Sequence, residues 1–323
     1  MKEVFISIRG RVQVNAEALN MVESVGNYVK HRRIPVIHYK DGEYLSLYVP
    51  AVSGESLAHG YQETLSQVAQ EMNLPVCKYC KQGIFLKSTN SKVYKASFNA
   101  QDVPKNDSEL EKSIIKGCVV EDVGGFLFAE GGRSIKRTSN FYVGYMIPVR
   151  EALEASLLES QLHTRYALGT EFVKEQGGQM IYYVELASAV YGFSFDLDTS
   201  YIGRSSFTTS ESGGLVVETG EAEKRKEAAL TALKEFLMEM KFGAKKTRYL
   251  PMHDWESIVV AVSDKVWTVP SPLVKTYIQR AKQKLENVNY NTKLYIYSEE
   301  EGESFEEVLS KAFEDALNRI KSQ

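Results

Sequence analysis

Cysteine is scarce, with three in 323 residues. An odd count in a long chain builds no disulfide framework and points to a reducing cytoplasm. Long apolar runs are missing as well. The run at 258–262 is far too short to span a bilayer, so no membrane segment is expected. Residues 1–10 place charges on both sides of a short apolar stretch and lack a cleavage-site pattern, so no signal peptide is expected. Neither charge dominates: 39 Lys and Arg stand against 42 Asp and Glu, a formal net charge of −3. That balance excludes a globally basic, histone-like nucleic-acid binder. It leaves room for a local basic groove, because a ligand feels the nearby field rather than the sum. No phosphate loop ends in Gly-Lys-Ser/Thr, and no dinucleotide fingerprint follows a strand. His31, His38, His59, His163 and His253 are scattered, with no two at helical metal-ligand spacing. No nucleophile–base pair stands out. Catalytic residues, cofactors and metals are therefore expected to be none.

What is present suffices for a folded core, since 43% of the chain is hydrophobic and 25% charged. Val4, Ile6, Ile8, Val12 and Val14 alternate with Phe5, Ser7, Arg9, Arg11 and Gln13, which predicts a strand with one buried face. The face with Arg9 and Arg11 is either solvated or presented to an anion, and composition favours solvation. Residues 15–33 read as part helical, broken near Gly26 and Asn27, ending in the cationic run Lys30, His31, Arg32, Arg33. Asp41-Gly42 between two apolar segments predicts a hairpin. Leu57, Tyr61, Leu65, Val68 and Met72 predict a helix with Ser53 as N-cap and Ser56 in its first turn.

Residues 76–117 are polar, lysine-rich and weakly periodic, and read as an insertion. Residues 133–149 read as a strand or a bent pair of strands. Residues 151–180 form an excursion: a short helix pattern (Leu153, Leu157, Leu158), then His163 and Arg165, then Glu175-Gln-Gly-Gly-Gln179 as functional loop or disorder. A strand (181–197), a helix (221–240) with Gly243 as C′, and a buried strand (258–262) follow. A helix from Pro272, a strand (293–297) and a last helix opened by the capping box of Ser304 and Glu307 complete the chain. The large elements run β-α-β-β-α-β, the ferredoxin-like or RRM-like order, with long insertions. The expected fold class is α+β.

Cys77-Lys-Tyr-Cys80 is a lone CxxC, and Cys118 adds a third thiol. With no fourth ligand to place, ordinary cysteines are expected. Asp196 and Asp198 share a strand face and read as solvated rather than as a metal site. The cationic clusters say more. Lys30 to Arg33, then Arg133, Lys136 and Arg137, then Lys245, Lys246 and Arg248 lie beside element ends among Asn27, Thr138, Ser139, Asn140 and Thr247. Lys and Arg neutralise phosphates, while hydroxyls and amides supply positioning hydrogen bonds. Compensating acid gathers elsewhere, at 299–307. Three such clusters on the connections of one sheet point to nucleic-acid binding.

Certain segments, in their order, resemble a known family. They are Asn15 after the first strand, Glu23-Ser-Val-Gly-Asn27, Arg33-Ile-Pro-Val-Ile37, Pro50-Ala-Val-Ser-Gly-Glu-Ser-Leu-Ala-His-Gly60, Glu121-Asp-Val-Gly-Gly-Phe126 and Lys136-Arg-Thr-Ser139. The chain resembles the DevR-type CRISPR-associated autoregulators, the RNA-binding backbone subunits of type I Cascade in the repeat-associated RRM-fold (RAMP) superfamily. The likeness runs over residues 4–262 and is strongest to the archaeal subtype A version. It implies a discontinuous RRM-like palm (1–75, 118–150 and 181–323), a finger insertion (76–117) and a thumb (151–180). It also implies copies stacked head to tail along one CRISPR RNA as a helical filament.

Each copy would grip the guide backbone, leave base edges free for target single-stranded DNA, and meet other Cascade subunits, with no membrane and no catalysis. By motif position, Asn15, Ser24, Asn27, Ser53, Gly54, Ser56, His59, Lys136, Arg137, Thr138 and Ser139 would line the RNA path. His163 and Arg165 would belong to a thumb that wedges between bases. Two departures are visible. Ala58-His59 stands where related sequences often carry arginine, and the superfamily's glycine-rich loop is reduced to Gly243-Ala-Lys-Lys-Thr-Arg248. Two other readings remain: an RNA-processing endonuclease using His31 or His59 as acid or base, and a DNA-binding autoregulator. The second lacks a recognition helix rich in Arg, Asn and Gln.

Overall fold

A computed structural model describes residues 3–166, 179–207, 214–298 and 302–321. Residues 167–178, including Glu175 to Gly178 of the expected functional loop, the side chain of Arg165 and residues 299–301 of the acidic run lie outside the described residues. The first strand, β1 (Phe5–Glu17), is buried along nearly its whole length. The chain then turns through β2 (Met21–Val25) and β3 (Tyr28–His31), an antiparallel hairpin. This corrects the partly helical reading of 15–33. Val22, Val25 and Val29 are β-branched, and Gly26 takes φ +62° at the turn, so local preference favours a hairpin. A second hairpin pairs β4 (Arg33–Lys40) with β5 (Glu43–Pro50), and Asp41 and Gly42 both have positive φ, as the Asp-Gly signal requires.

Helix α1 (Gly54–Glu71) starts at Ser53, whose side chain accepts a hydrogen bond from the Ser56 amide at 3.3 Å. The 76–117 region holds two short helices that weak periodicity hid. They are α2 (Ser91–Phe98), capped by Asn90, and α3 (Asp107–Gly117), capped by Asn106. After α4 (Val119–Gly124), β6 (Phe126–Glu130) and β7 (Arg133–Arg137) form a separate two-stranded sheet. Tyr94, Leu110, Ile114, Phe126, Phe128 and Ile135 make a satellite core under it. The 133–149 region is therefore divided, because β8 (Phe141–Val143) and β9 (Ile147–Pro148) join the main sheet instead.

The excursion is a strand and not a helix: β10 (Leu157–Tyr166) pairs antiparallel with the 20-residue β11 (Gln179–Asp198). Helix α5 (Thr219–Met238) is capped at Glu239, so Met240, at φ +41°, takes the C′ position, and Gly243 takes its own positive φ of +87° three residues further on. Strand β12 (Met252–Ser263), helix α6 (Tyr277–Leu285), strand β13 (Thr292–Ser298) and helix α7 (Phe305–Lys321) complete the fold. Pro272 precedes α6 by five residues rather than opening it. The capping box holds: the Ser304 amide donates to Glu307 Oε2 at 3.1 Å and the Glu307 amide to Ser304 Oγ at 3.2 Å.

The architecture is α+β. Among the described residues, nine strands share one mixed sheet in the order β13-β12-β1-β11-β3-β2, with β8, β9 and β10 also on β11. Every pairing is antiparallel except β3 with β11. One face carries Ile6, Ile8, Val12, Phe193 and Phe195 against α1, α5 and α7. The Tyr61 hydroxyl crosses this layer to donate to the Ala229 carbonyl at 3.0 Å, tying α1 to α5. The opposite face is covered by Trp267, Val269, Tyr277 and Ala281. Contrary to expectation, the strand face of Arg9 and Arg11 is covered from Phe5 to Arg11, with Arg9 half-buried, and is exposed only at Gln13.

Candidate nucleic-acid interface

The N-terminal turns of α1 and the segment after α5 meet in a cleft of ≈ 580 Å³. Contact between them depends on Gly60. A Cβ there would stand 2.1 Å from the Lys241 carbonyl oxygen and 2.9 Å from Phe242 Cα. Ser56, His59, Gly243 and Lys246 line the cleft; the resemblance put Ser56 and His59 on the RNA path, and Lys246 belongs to the third basic cluster. His59 is exposed and rests edge-on against Phe85 at 5.0 Å. Lys246 hydrogen-bonds the Met240 carbonyl and lies 5.6 Å over the Phe242 ring. Burial lowers its pKa. Glu63 also lines the cleft, so it is not uniformly cationic. A hydroxyl, an imidazole, an ammonium and a helix N-terminus can together seat an anion such as a phosphodiester.

The remaining candidates lie outside the lining of this cleft. Lys245 is half-buried and Arg248 exposed on the same loop. That loop reaches the hairpin of β10 and β11 through Tyr249, whose hydroxyl is 2.9 Å from His163 Nε2, while His163 stacks on Tyr182 at 5.3 Å. Tyr249, Phe85 and Lys241 were not singled out from the sequence, although Tyr249 directly follows the basic run. Asn15 is half-buried near the end of β1, Ser24 and Asn27 are exposed on the first hairpin, and Gly54 packs against the Val143 carbonyl. Asn27 Nδ2 donates to the Ile181 carbonyl at 3.0 Å, which fixes the hairpin to β11. Ser53 is buried as a cap, and its amide donates to Asn20 Oδ1 at 2.9 Å. Lys136 and Thr138 are exposed and Ser139 half-buried.

Several expected cations are not brought there and are paired with other protein groups, mostly carboxylates. Arg9 pairs with Asp196 at 2.7 Å, which also removes Asp196 from a solvated or metal-binding role. Arg11 is buried, pairs with Glu151 and donates to the Pro272 carbonyl at 2.8 Å. Lys30 meets Glu23 at 3.1 Å, Arg32 donates to Asn20 Oδ1 at 2.8 Å, and Arg33 meets Glu185 at 2.8 Å. Arg133 meets Asp107 at 2.8 Å. Arg137 is buried between Asp122 and Glu111 and donates to the Arg204 carbonyl at 2.7 Å and the Tyr201 carbonyl at 2.8 Å.

His31 is buried, with Nε2 2.8 Å from Glu17 and Nδ1 2.9 Å from the Arg32 carbonyl. Burial works against its charge. The hydrogen bond and the charge of Glu17 outweigh burial, so the pKa rises above 6.5. Among the described residues, one group could hold a metal: Glu121 joins Cys77, Cys80 and Cys118 in a buried cluster. Hydrogen bonds from Cys118 and Cys80 push the Cys77 pKa down, and burial pushes Glu121 up to about 8.

The family described as "CRISPR-associated negative auto-regulator DevR/Csa2" matches residues 8–282. The chain belongs to the DevR/Csa2 family. "CRISPR-associated protein Cas7/Csa2 1" of Saccharolobus solfataricus is 36% identical over 94% of this chain and 95% of its own length. "CRISPR-associated aCascade subunit Cas7/Csa2 2" of the same organism is 37% identical over 90% and 91%. "CRISPR-associated protein Cas7/Cst2/DevR" of Methanocaldococcus jannaschii is 26% identical over 96% and 99%. Among solved structures, a chain of a "CRISPR RNA-guided surveillance complex, pre-nicking" superposes with TM-score 0.55 at 9% identity over 97% of this chain and 99% of that one. A chain of a "CRISPR RNA-guided surveillance complex" gives 0.51 at 12% identity. At such identities the likeness is one of fold.

Proposed function

We propose that this DevR/Csa2 member is a non-catalytic backbone subunit that holds CRISPR RNA by its phosphates in a Cascade-like complex. The observation that carries this reading is the cleft where Ser56 and His59 of α1 face Gly243 and Lys246. Its loop extends through Lys245, Arg248 and Tyr249 to His163 on the β10–β11 hairpin. The likeness to a named aCascade subunit supports the same assignment. The order β12-β1-β11 with β8 and β9 on the far edge, all antiparallel, supports an RRM-like palm. In this reading 76–117 is a finger and 151–180 a thumb. Exposed Ile37, Tyr39, Tyr44 and Tyr48 on the β4–β5 hairpin offer apolar surface for a neighbouring copy in a head-to-tail filament. The guide's base edges stay available for target DNA and other subunits cap the assembly.

The endonuclease reading loses His31, which is buried against Glu17. His59 remains accessible and is the residue to test. Single-stranded RNA is incubated with the protein, then resolved on native and denaturing gels. The proposal expects retained, intact RNA and weaker retention by Lys245→Ala/Arg248→Ala. Site-specific cleavage that disappears in His59→Ala would instead establish the nuclease.

A further inference from the structure

We propose that Cys77, Cys80, Cys118 and Glu121 bind one structural zinc ion that closes the base of the 76–117 insertion. Their donor atoms, three sulfurs and a carboxylate oxygen, all lie within 4.8 Å of one another. Cys77 Sγ and Glu121 Oε1 are 3.6 Å apart. A tetrahedron with metal–sulfur bonds of about 2.3 Å has edges of about 3.8 Å, so small side-chain adjustments close it on one ion. All four residues are buried, Cys118 and Glu121 completely. Glu121 Oε2 is buried without a hydrogen-bond partner, a costly state for an acid unless a cation meets it.

The donor set selects the metal. Three thiolates disfavour calcium and magnesium, which want oxygen. Three cysteines are one short of the four that hold an iron–sulfur cluster in its usual form. A disulfide would use two of the thiols and leave the third thiol and the carboxylate unexplained. Zinc with three thiolates and one carboxylate leaves two negative charges. Half-buried Lys87 lies in electrostatic reach of Glu121 and all three sulfurs and offsets one of them. Its ammonium also donates to the Gly125 carbonyl at 3.1 Å, which links the cluster to the turn leading into β6.

The position explains what such an ion would do. Cys77 and Cys80 lie in the turn after α1, and Cys118 and Glu121 at the junction of α3 and α4. The two ends are already adjacent, since the Val119 amide donates to the Pro75 carbonyl at 2.9 Å. One ion there fastens the insertion at its root. It thereby fixes α4, and the β6–β7 hairpin with exposed Lys136, relative to α1.

The full chain, grown with zinc and passed through gel filtration, is analysed for metal and for zinc released as thiols are modified. Its zinc is then exchanged for cobalt. The proposal expects one zinc per chain, freed as three thiols react, and a cobalt spectrum with thiolate charge-transfer and tetrahedral bands. Glu121→Ala should lower zinc affinity by at least about tenfold, the loss that even outer-shell partners cause. Cys118→Ser should abolish stoichiometric binding. If that variant does not fold, the wild-type cobalt spectrum decides alone. Metal-free protein with no thiolate bands on adding cobalt would overturn the site, as would two thiols lost to a disulfide. Full zinc content in folded Cys118→Ser would overturn it too, and unchanged affinity in Glu121→Ala would remove Glu121 from it.

Discussion

At the scale of single residues, the deciding question is whether a cation faces outward or inward. Arg137 and Lys136 are neighbours in β7, yet one is buried and the other exposed, because strand side chains alternate. Arg137 holds Asp122 and Glu111, and Asp122 is shared with Arg225 at 2.9 Å. Removing Arg137 leaves buried Glu111 without its cation and Asp122 with Arg225 alone, and breaking a buried pair costs about 3–5 kcal/mol. Arg137→Ala is expected to melt well below the wild type, and whatever remains folded should bind RNA with near-normal affinity. Thermal denaturation alongside RNA titration checks this. Lys136→Ala should show the reverse: unchanged melting and weaker binding.

His31 gives a prediction with a definite sign. Its folded pKa lies above the unfolded value of 6.5, so its stabilising contribution is full below pH 6.5 and fades as pH rises through the folded value. The melting advantage of the wild type over His31→Gln should narrow from acidic to alkaline buffer. An advantage that grew with pH would contradict the ion pair with Glu17.

At the scale of elements, the account turns on how closely α1 approaches the segment after α5. Gly60 permits that approach, and Gly60→Ala forces the Lys241 carbonyl away. Overpacking of this kind costs typically about 1–3 kcal/mol. The expected result is a lower melting temperature together with weaker RNA binding, since the cleft wall moves. Unchanged binding in a folded Gly60→Ala protein would show that this cleft is not the site.

Elements with strong local signals were legible in the sequence: the alternation of β1, the Ser53 cap, the Asp41-Gly42 turn and the Ser304 capping box. What stayed hidden depends on partners distant in sequence. The hairpin at 21–31 is held partly by its pairing with β11, which begins at Gln179. Helices α2 and α3 are too short to declare a period and draw their stability from a satellite core shared with β6 and β7. The site was legible as segments but not as side chains. Spacing showed the basic clusters, yet Asp196, Glu151 and Asp122, which neutralise Arg9, Arg11 and Arg137, lie far from them in sequence. Glu121 stands only three positions after Cys118 but 41 beyond Cys80, so its closeness to the CxxC pair shows only once the chain is folded.

At the scale of the whole molecule, a net charge of −3 coexists with a cleft where Lys246 and His59 stand beside Glu63 and Lys241 pairs with Glu235 at 2.9 Å, and with exposed Arg248 on the adjoining loop. The exposed tyrosines of the β4–β5 hairpin bear on assembly. Tyr44→Ser/Tyr48→Ser should leave melting unchanged and reduce the number of copies bound per RNA, as read by analytical ultracentrifugation on RNAs of increasing length. The central claim is that ribose-phosphate, and not base identity, is what the protein holds. It is tested most directly by measuring affinity for two unrelated single-stranded RNAs of equal length across a range of salt concentrations. The account predicts two coincident lines of log Kd against log salt, steep because each phosphate contact releases counterions, with the slope reduced by roughly one for each cleft-side cation removed. A flat dependence, or two well-separated lines, would contradict it.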